Sequence, residues 1–294
     1  MKMNIQPSET QLEKWIKKYV PEKDLFFIQD EDLPLFEEVI GQVLLIPKDE
    51  FFNHASYRQI QLANSYEYWN LSKEANFVIV ASENWIKELP PSKKERLLQI
   101  QLKMNRGLIF PLSYFSEVPL FLKENAVNEK EDEWIVLTAD LWKRLSVTIK
   151  EHLMRKYAQQ WDRWTSEETP EYLPLIIKKY ANTFPTEGGS NCLAATLFAV
   201  SGQEWIIHEW VHPQTFKEKL SRTHQLVETT DLIEGDVAAW ESADGQIQHA
   251  SYHIGNQLFF NKNGQTFFNP WKVIHFRELQ PEWSQYAISI YRQK

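Results

Sequence analysis

Few residue types can form and break covalent bonds with a substrate, and the 294-residue chain spends the most reactive of them sparingly: it has one cysteine. Cys192 sits in Glu187-Gly-Gly-Ser-Asn-Cys192-Leu-Ala-Ala-Thr-Leu-Phe-Ala-Val-Ser-Gly202. A Gly-Gly loop with Ser190 and Asn191 as caps leads into an Ala- and Leu-rich helix that stops at Gly202. Cys192 then falls in the first turn, where the helix dipole and unpaired N–H groups favour thiolate and lower the thiol pKa. The same N–H groups suit an oxyanion. A lone cysteine is equally a small buried hydrophobe, so this segment alone leaves both readings open.

A thiol nucleophile needs a base, and the base needs a group to orient it. Glu234-Gly-Asp-Val-Ala-Ala-Trp240 reads as a turn into a strand, and Asp244-Gly245 as a hairpin turn into Gln246 to Asn256. The two-residue period puts His249, Ser251 and His253 on one face of that strand and Ala250, Tyr252 and Ile254 on the other. Leu258 to Asn261 forms the next strand, and Lys262-Asn-Gly264 turns it into Gln265-Thr-Phe-Phe268, with Asn269-Pro-Trp271 closing the unit. Lys262 is expected to point into solvent. A cysteine at a helix start, a histidine on a nearby strand and a polar residue on the following strand have the logic of a triad.

These segments resemble the NlpC/P60 family and the related CHAP amidases. The resemblance rests on the Gly-Gly-Ser-Asn-Cys192 helix start, Gly235-Asp236-Val237, and His249 followed by Ile254-Gly255-Asn256, and covers roughly residues 175–275. It implies a papain-like α+β fold and cysteine-dependent hydrolysis of an amide bond, usually in cell-wall peptides, with no cofactor. It makes Cys192 the nucleophile and His249 the base. The family's third residue lies twelve positions after the histidine, where Asn261 stands, and Gln265 replaces it if the hairpin register differs. Asn191, Ser251 and His253 are the expected substrate-binding residues. The chain departs from the family in having Leu193 and Ala194 after the cysteine, and in having asparagine as the third residue.

A competing pattern is His208-Glu209-Trp-Val-His212, an H-E-x-x-H match. On a continuous helix it would hold zinc between His208 and His212, with Glu209 activating water. Pro213 directly after the second histidine argues against that helix. The simpler reading is an amphipathic helix with Trp205, Ile206 and Trp210 packed inward. A third reading keeps the fold and drops catalysis, leaving an aromatic-rich binding or scaffold protein.

The elements that must carry these residues follow from patterning. Ser8 and Gln11 form a capping box for a helix through Tyr19, and Ser92 with Glu95 another for a helix ending near Gly107. Leu25–Ile28, Val43–Ile46, Phe77–Val80 and Trp134–Leu137 are strand-like. Leu141, Leu145, Ile149, Leu153 and Tyr157 recur at helical spacing over a helix from about Asp140 to Asp162. The polar stretch Thr165 to Pro170 marks the expected boundary between a mixed α/β N-terminal domain, 1–165, and the hydrolase domain, 166–294.

Hydrophobic residues make up 43% of the chain, enough for sizeable cores. A net charge of −8 disfavours nucleic-acid and anionic-membrane partners, which need clustered Lys and Arg. One cysteine allows no internal disulfide, and no window is apolar for the length of a membrane span. The polar segment Met1–Pro7 has no apolar run of the kind export signals carry. The expectation is a cytoplasmic enzyme acting on a peptide or small amide.

Overall fold

The computed structural model describes residues 2–129, 131–229 and 231–294. It is 39% helical and 22% strand, so the expected α+β class holds. Two compact units form, one from Trp15–Tyr157 and the other from Met1–Lys14 together with Ala158–Lys294. The expected division at 165/166 would cut a ladder. Lys2–Asn4 pairs antiparallel with Thr165–Glu167, and Ile5 N–H donates to Trp164 O at 2.8 Å. The first residues of the chain therefore belong with its C-terminal half.

In the Trp15–Tyr157 unit, Leu44–Pro47 and Asp24–Ile28 both pair antiparallel with Phe77–Ala81. A second sheet pairs Ile109–Pro111 and Val127–Glu129 with Asp132–Val136. The expected helix from about 140 to 162 is two helices, Ala139–Arg144 and Val147–Trp161. Thr138 caps the first, its hydroxyl accepting from Leu141 N–H. The helix expected from Ser92 begins instead at Pro91, with no side-chain cap. Proline at the first helical position needs none, since its missing N–H is one the helix could not satisfy. Gly107 also has a different reason from the one expected. A Cβ there would lie 2.4 Å from Ser65 O, so the residue is small because two backbone segments touch.

The other unit is built on one antiparallel sheet. Its strand order is Trp271–His275, Leu258–Lys262, Ile247–His253, Val237–Glu241, Ala287–Gln293 and His224–Val227. One face buries Val237, Ala239, Ala250, Phe260, Trp271 and Val273 against Leu193, Ala194, Leu197 and Phe198 of the helix Cys192–Ser201. The opposite face buries Ala238, Trp240, Phe259 and Ile274 with Leu279 of the helix Phe276–Glu282. The alternation read from the sequence is thus realised on two covered faces, which explains why the strands are apolar on both sides. The segment 265–268 is not a strand; the hairpin's return strand starts at Trp271. Phe267 and Phe268 are buried in the intervening turn.

Candidate functional site

Cys192 stands where the helix begins. Asn191 Oδ1 accepts from Ala194 N–H at 2.9 Å, and Gly202 takes the left-handed conformation, φ 66°, that ends the helix. Asn191 Nδ2 donates to Val211 O at 2.8 Å. Both ends of the Asn191 amide are therefore engaged in holding the helix start. Gly189 N–H donates to Gln265 O at 2.8 Å, tying the Gly-Gly loop to the turn after the Asn261 strand.

The helix packs on the strand Ile247–His253, whose pairing with Val237–Glu241 shifts register between Trp240 and Glu241. Trp240 faces His249 and Glu241 faces Ile247, so Gln248 is the extra residue of a bulge. Ile247 and Ala250, three apart, consequently share the helix-facing core, while His249 lies on the other face. A cavity of about 310 Å³ opens at this end of the sheet. Cys192, Leu193, His249, His212, Trp210, Gln265 and Trp283 line it, so the bulge brings strand residues from both faces to one opening.

His249 is fully buried and its Nε2 lies 2.8 Å from Asn261 Oδ1. Asn261 Nδ2 donates to Asn263 Oδ1 at 2.9 Å, which fixes the amide with its oxygen toward the imidazole. An amide oxygen only accepts, so the ring proton sits on Nε2 and Nδ1 carries a lone pair. Among the described residues Nδ1 has no hydrogen-bond partner. Trp283 stacks on the ring, centroids 4.1 Å apart and planes within 7°, and Trp240 closes in at 5.4 Å. Burial pushes the imidazole pKa down to about 3, against the Asn261 hydrogen bond, which favours the cation. His249 is thus neutral at physiological pH.

The thiol departs from expectation in the same way. Burial pushes the Cys192 thiol up, and this outweighs the N–H groups of Ala250, Leu193 and Cys192 itself and the charge of Lys262, all of which favour thiolate. The helix start acts in the expected direction but does not win. Cys192 and His249 share the cavity without a hydrogen bond between them, so the resting pair is a neutral thiol and a neutral base.

The other expected residues are placed as follows. Ser251 is buried and its hydroxyl donates to Phe260 O at 3.0 Å. His253 is buried with Nδ1 2.7 Å from Ile233 O. Neither lines the cavity. Asn261, rather than Gln265, meets the imidazole. Lys262, expected in solvent, is fully buried. The H-E-x-x-H segment is not helical: His208 ends the short 3-10 helix Glu204–His208, and His212 precedes the helix Pro213–Thr223. His208 packs instead against Tyr180 and Trp271, and Trp205 and Trp210 are exposed, not packed inward. Among the described residues no group of three His, Cys, Asp or Glu is placed to hold a metal.

Gly264 shapes one wall. Its φ is +68°, and an added Cβ would lie 2.8 Å from Asn269 Oδ1. Gly264→Ala is expected to cost about 1 kcal/mol or more in urea unfolding, since both the backbone conformation and the space exclude a methyl group.

No family model matches the chain, and no curated protein and no solved structure matches it either. Among the described residues no helix is long and apolar enough to cross a membrane.

Proposed function

We propose that the chain is a cysteine-dependent amide hydrolase on a papain-like arrangement akin to the NlpC/P60 and CHAP enzymes. The observation that carries this reading is the His249–Asn261 pair. An asparagine oxygen holds the imidazole in the one tautomer that leaves Nδ1 free, and that imidazole shares a cavity with a cysteine at a helix start.

In this reading Nδ1 of His249 takes the Cys192 proton as the sulfur attacks the substrate carbonyl, forming the C–S bond. Negative charge gathers on the carbonyl oxygen near the N–H of Cys192. The imidazolium then gives its proton to the leaving amine as the C–N bond breaks, leaving a thioester. Water attacks the thioester with Nδ1 again as base, and the acid and thiol are released. Asn261 Oδ1 accepts from Nε2 throughout, so the ring does not turn. Because both partners rest neutral, the proton moves during attack and not before it. Substrates would be peptides or small amides.

The test uses p-nitrophenyl acetate, an activated acyl donor small enough for the cavity. Release of p-nitrophenolate with an acetyl group on Cys192, found by peptide mass spectrometry, is the expected result. Cys192→Ala should abolish both. Acetylation spread over lysines, with none on Cys192, would leave a binding or scaffold role as the better account.

A further inference from the structure

The wall of the cavity at Cys192 carries a preference of its own. Trp210 and Trp283 line it together with Leu193, Val211, Ile247 and Pro213. Among the described residues of the wall there is no Asp, Glu, Lys or Arg, and the titratable groups are Cys192, His249 and His212. Charged residues make up 24% of the chain, so their absence here sets the cavity apart from the surface around it. The other polar side chains of the wall are neutral amides, and two of these are engaged within the protein. Asn191 caps the cysteine helix and donates to Val211 O, and Gln248 Nε2 donates to Ser242 Oγ at 3.0 Å.

Trp210 is 40% exposed, although the sequence pattern points it inward. It is nonetheless held in place. The Ser190 hydroxyl donates to Ile207 O, and Asn191 Nδ2 to Val211 O at 2.8 Å. The segment carrying Trp210 is thus tied on both sides of the indole to the two residues that precede Cys192. An exposed indole fixed beside a nucleophile presents a broad, rigid apolar face to whatever is joined to the sulfur. Trp283 differs, because it stacks on His249 with centroids 4.1 Å apart. With that face taken, the two indoles do not make an aromatic cage of the kind that holds quaternary ammonium groups.

We propose that the cavity takes an uncharged, apolar acyl group, packed against Trp210, and discriminates against acyl groups that carry a carboxylate or an ammonium. A charged group in the cavity would give up water and meet no counter-charge on the wall. An apolar group gains by leaving water there. That the occupant is an acyl group rests on the thiol-hydrolase reading; the preference for neutral groups rests on the wall alone.

The experiment is therefore made on the thiol and needs no turnover. Methanesulfinate leaves a methanethiosulfonate as the attacking sulfur forms a disulfide, so the group transferred stays on Cys192, the only cysteine of the chain. Rates are measured in the full chain with benzyl, 2-sulfonatoethyl and 2-(trimethylammonio)ethyl methanethiosulfonate, which are neutral, anionic and cationic. Each is divided by the rate of the same reagent with 2-mercaptoethanol. The pH is 8, above the ordinary histidine range, and 0.15 M NaCl screens the net charge of the chain. The benzyl reagent should lead both charged ones by about tenfold or more. Trp210→Ala should slow it about three- to tenfold, and Trp210→Phe should restore most of the rate. A charged reagent as fast as the benzyl one would overturn the proposal. If the anion led, the uncapped start of the helix Pro213–Thr223 would be the better account of what the cavity holds. An unchanged benzyl rate in Trp210→Ala would also overturn it, as would a folded chain silent to all three reagents. Failure of Cys192 to take an acetyl group from p-nitrophenyl acetate would sink the hydrolase reading and leave the order of the three reagents standing.

Discussion

His249→Ala should lower acylation of Cys192 by two to four orders of magnitude, about the range removed with a general base. The size follows from the protonation states. With the thiol raised above its ordinary range and no imidazolium beside it, few sulfurs are anionic at neutral pH. A site whose ion pair pre-exists would keep some thiolate after losing its base; this one would not. The wild-type pH profile should differ accordingly. Acylation should need neutral Nδ1 and show no loss of base until pH approaches about 3, far below the ordinary histidine range. Asn261→Ala should produce a smaller loss, about ten- to a hundredfold. It frees the ring to carry its proton on either nitrogen and leaves Nε2 buried without its acceptor. Steady-state p-nitrophenolate release by the three proteins checks the order. Equal rates in wild type and His249→Ala would show that the imidazole is not the base.

Much of this site was legible in the sequence because it depends on local rules. The cysteine helix has its Asn191 cap and its left-handed Gly202 at the expected places. The hairpin turn at Asp244-Gly245 and the alternation through His249 and Ser251 rest on strand period and turn chemistry, and both hold. What local rules could not give was depth. Lys262 looks like a turn residue because it stands beside Asn-Gly, yet tertiary packing buries it, and the carbonyls of Thr266 and Asn269 satisfy its ammonium there. Ser251 and His253 look available because they alternate with His249, yet the helix Phe276–Glu282 and the core around Phe259 cover their face. The bulge at Gln248 brings Ile247, His249 and Cys192 to one opening, and no composition signal marks it. The helix-dipole argument for a low thiol pKa failed for the same reason, since it counted the N–H groups and not the loss of water.

Burial of His249 has a consequence for folding that is independent of any substrate. Its pKa is about 3 folded and about 6.5 unfolded, so between these values the unfolded chain binds the extra proton. Stability is therefore lost as pH falls from about 6.5 toward 3, at up to ~1.4 kcal/mol per pH unit, or on the order of 5 kcal/mol in all. Asp24, in the Trp15–Tyr157 unit, works in the opposite direction. Burial raises its carboxyl to about 6, against Arg106, so its folded form holds the proton and gains stability as pH falls from about 6 toward 3.8. The two opposing slopes can be separated by substitution. His249→Gln should flatten the acid-side loss of stability, so that the difference between wild type and variant in urea midpoint shrinks steadily from pH 7 to pH 4. Asp24→Asn should remove the opposing gain and make the acid-side loss steeper. A wild-type minus His249→Gln difference that stays constant over that range would mean the imidazole is solvated in solution. The shielding by Trp283 and Trp240, on which the neutral-base mechanism depends, would then be absent as well.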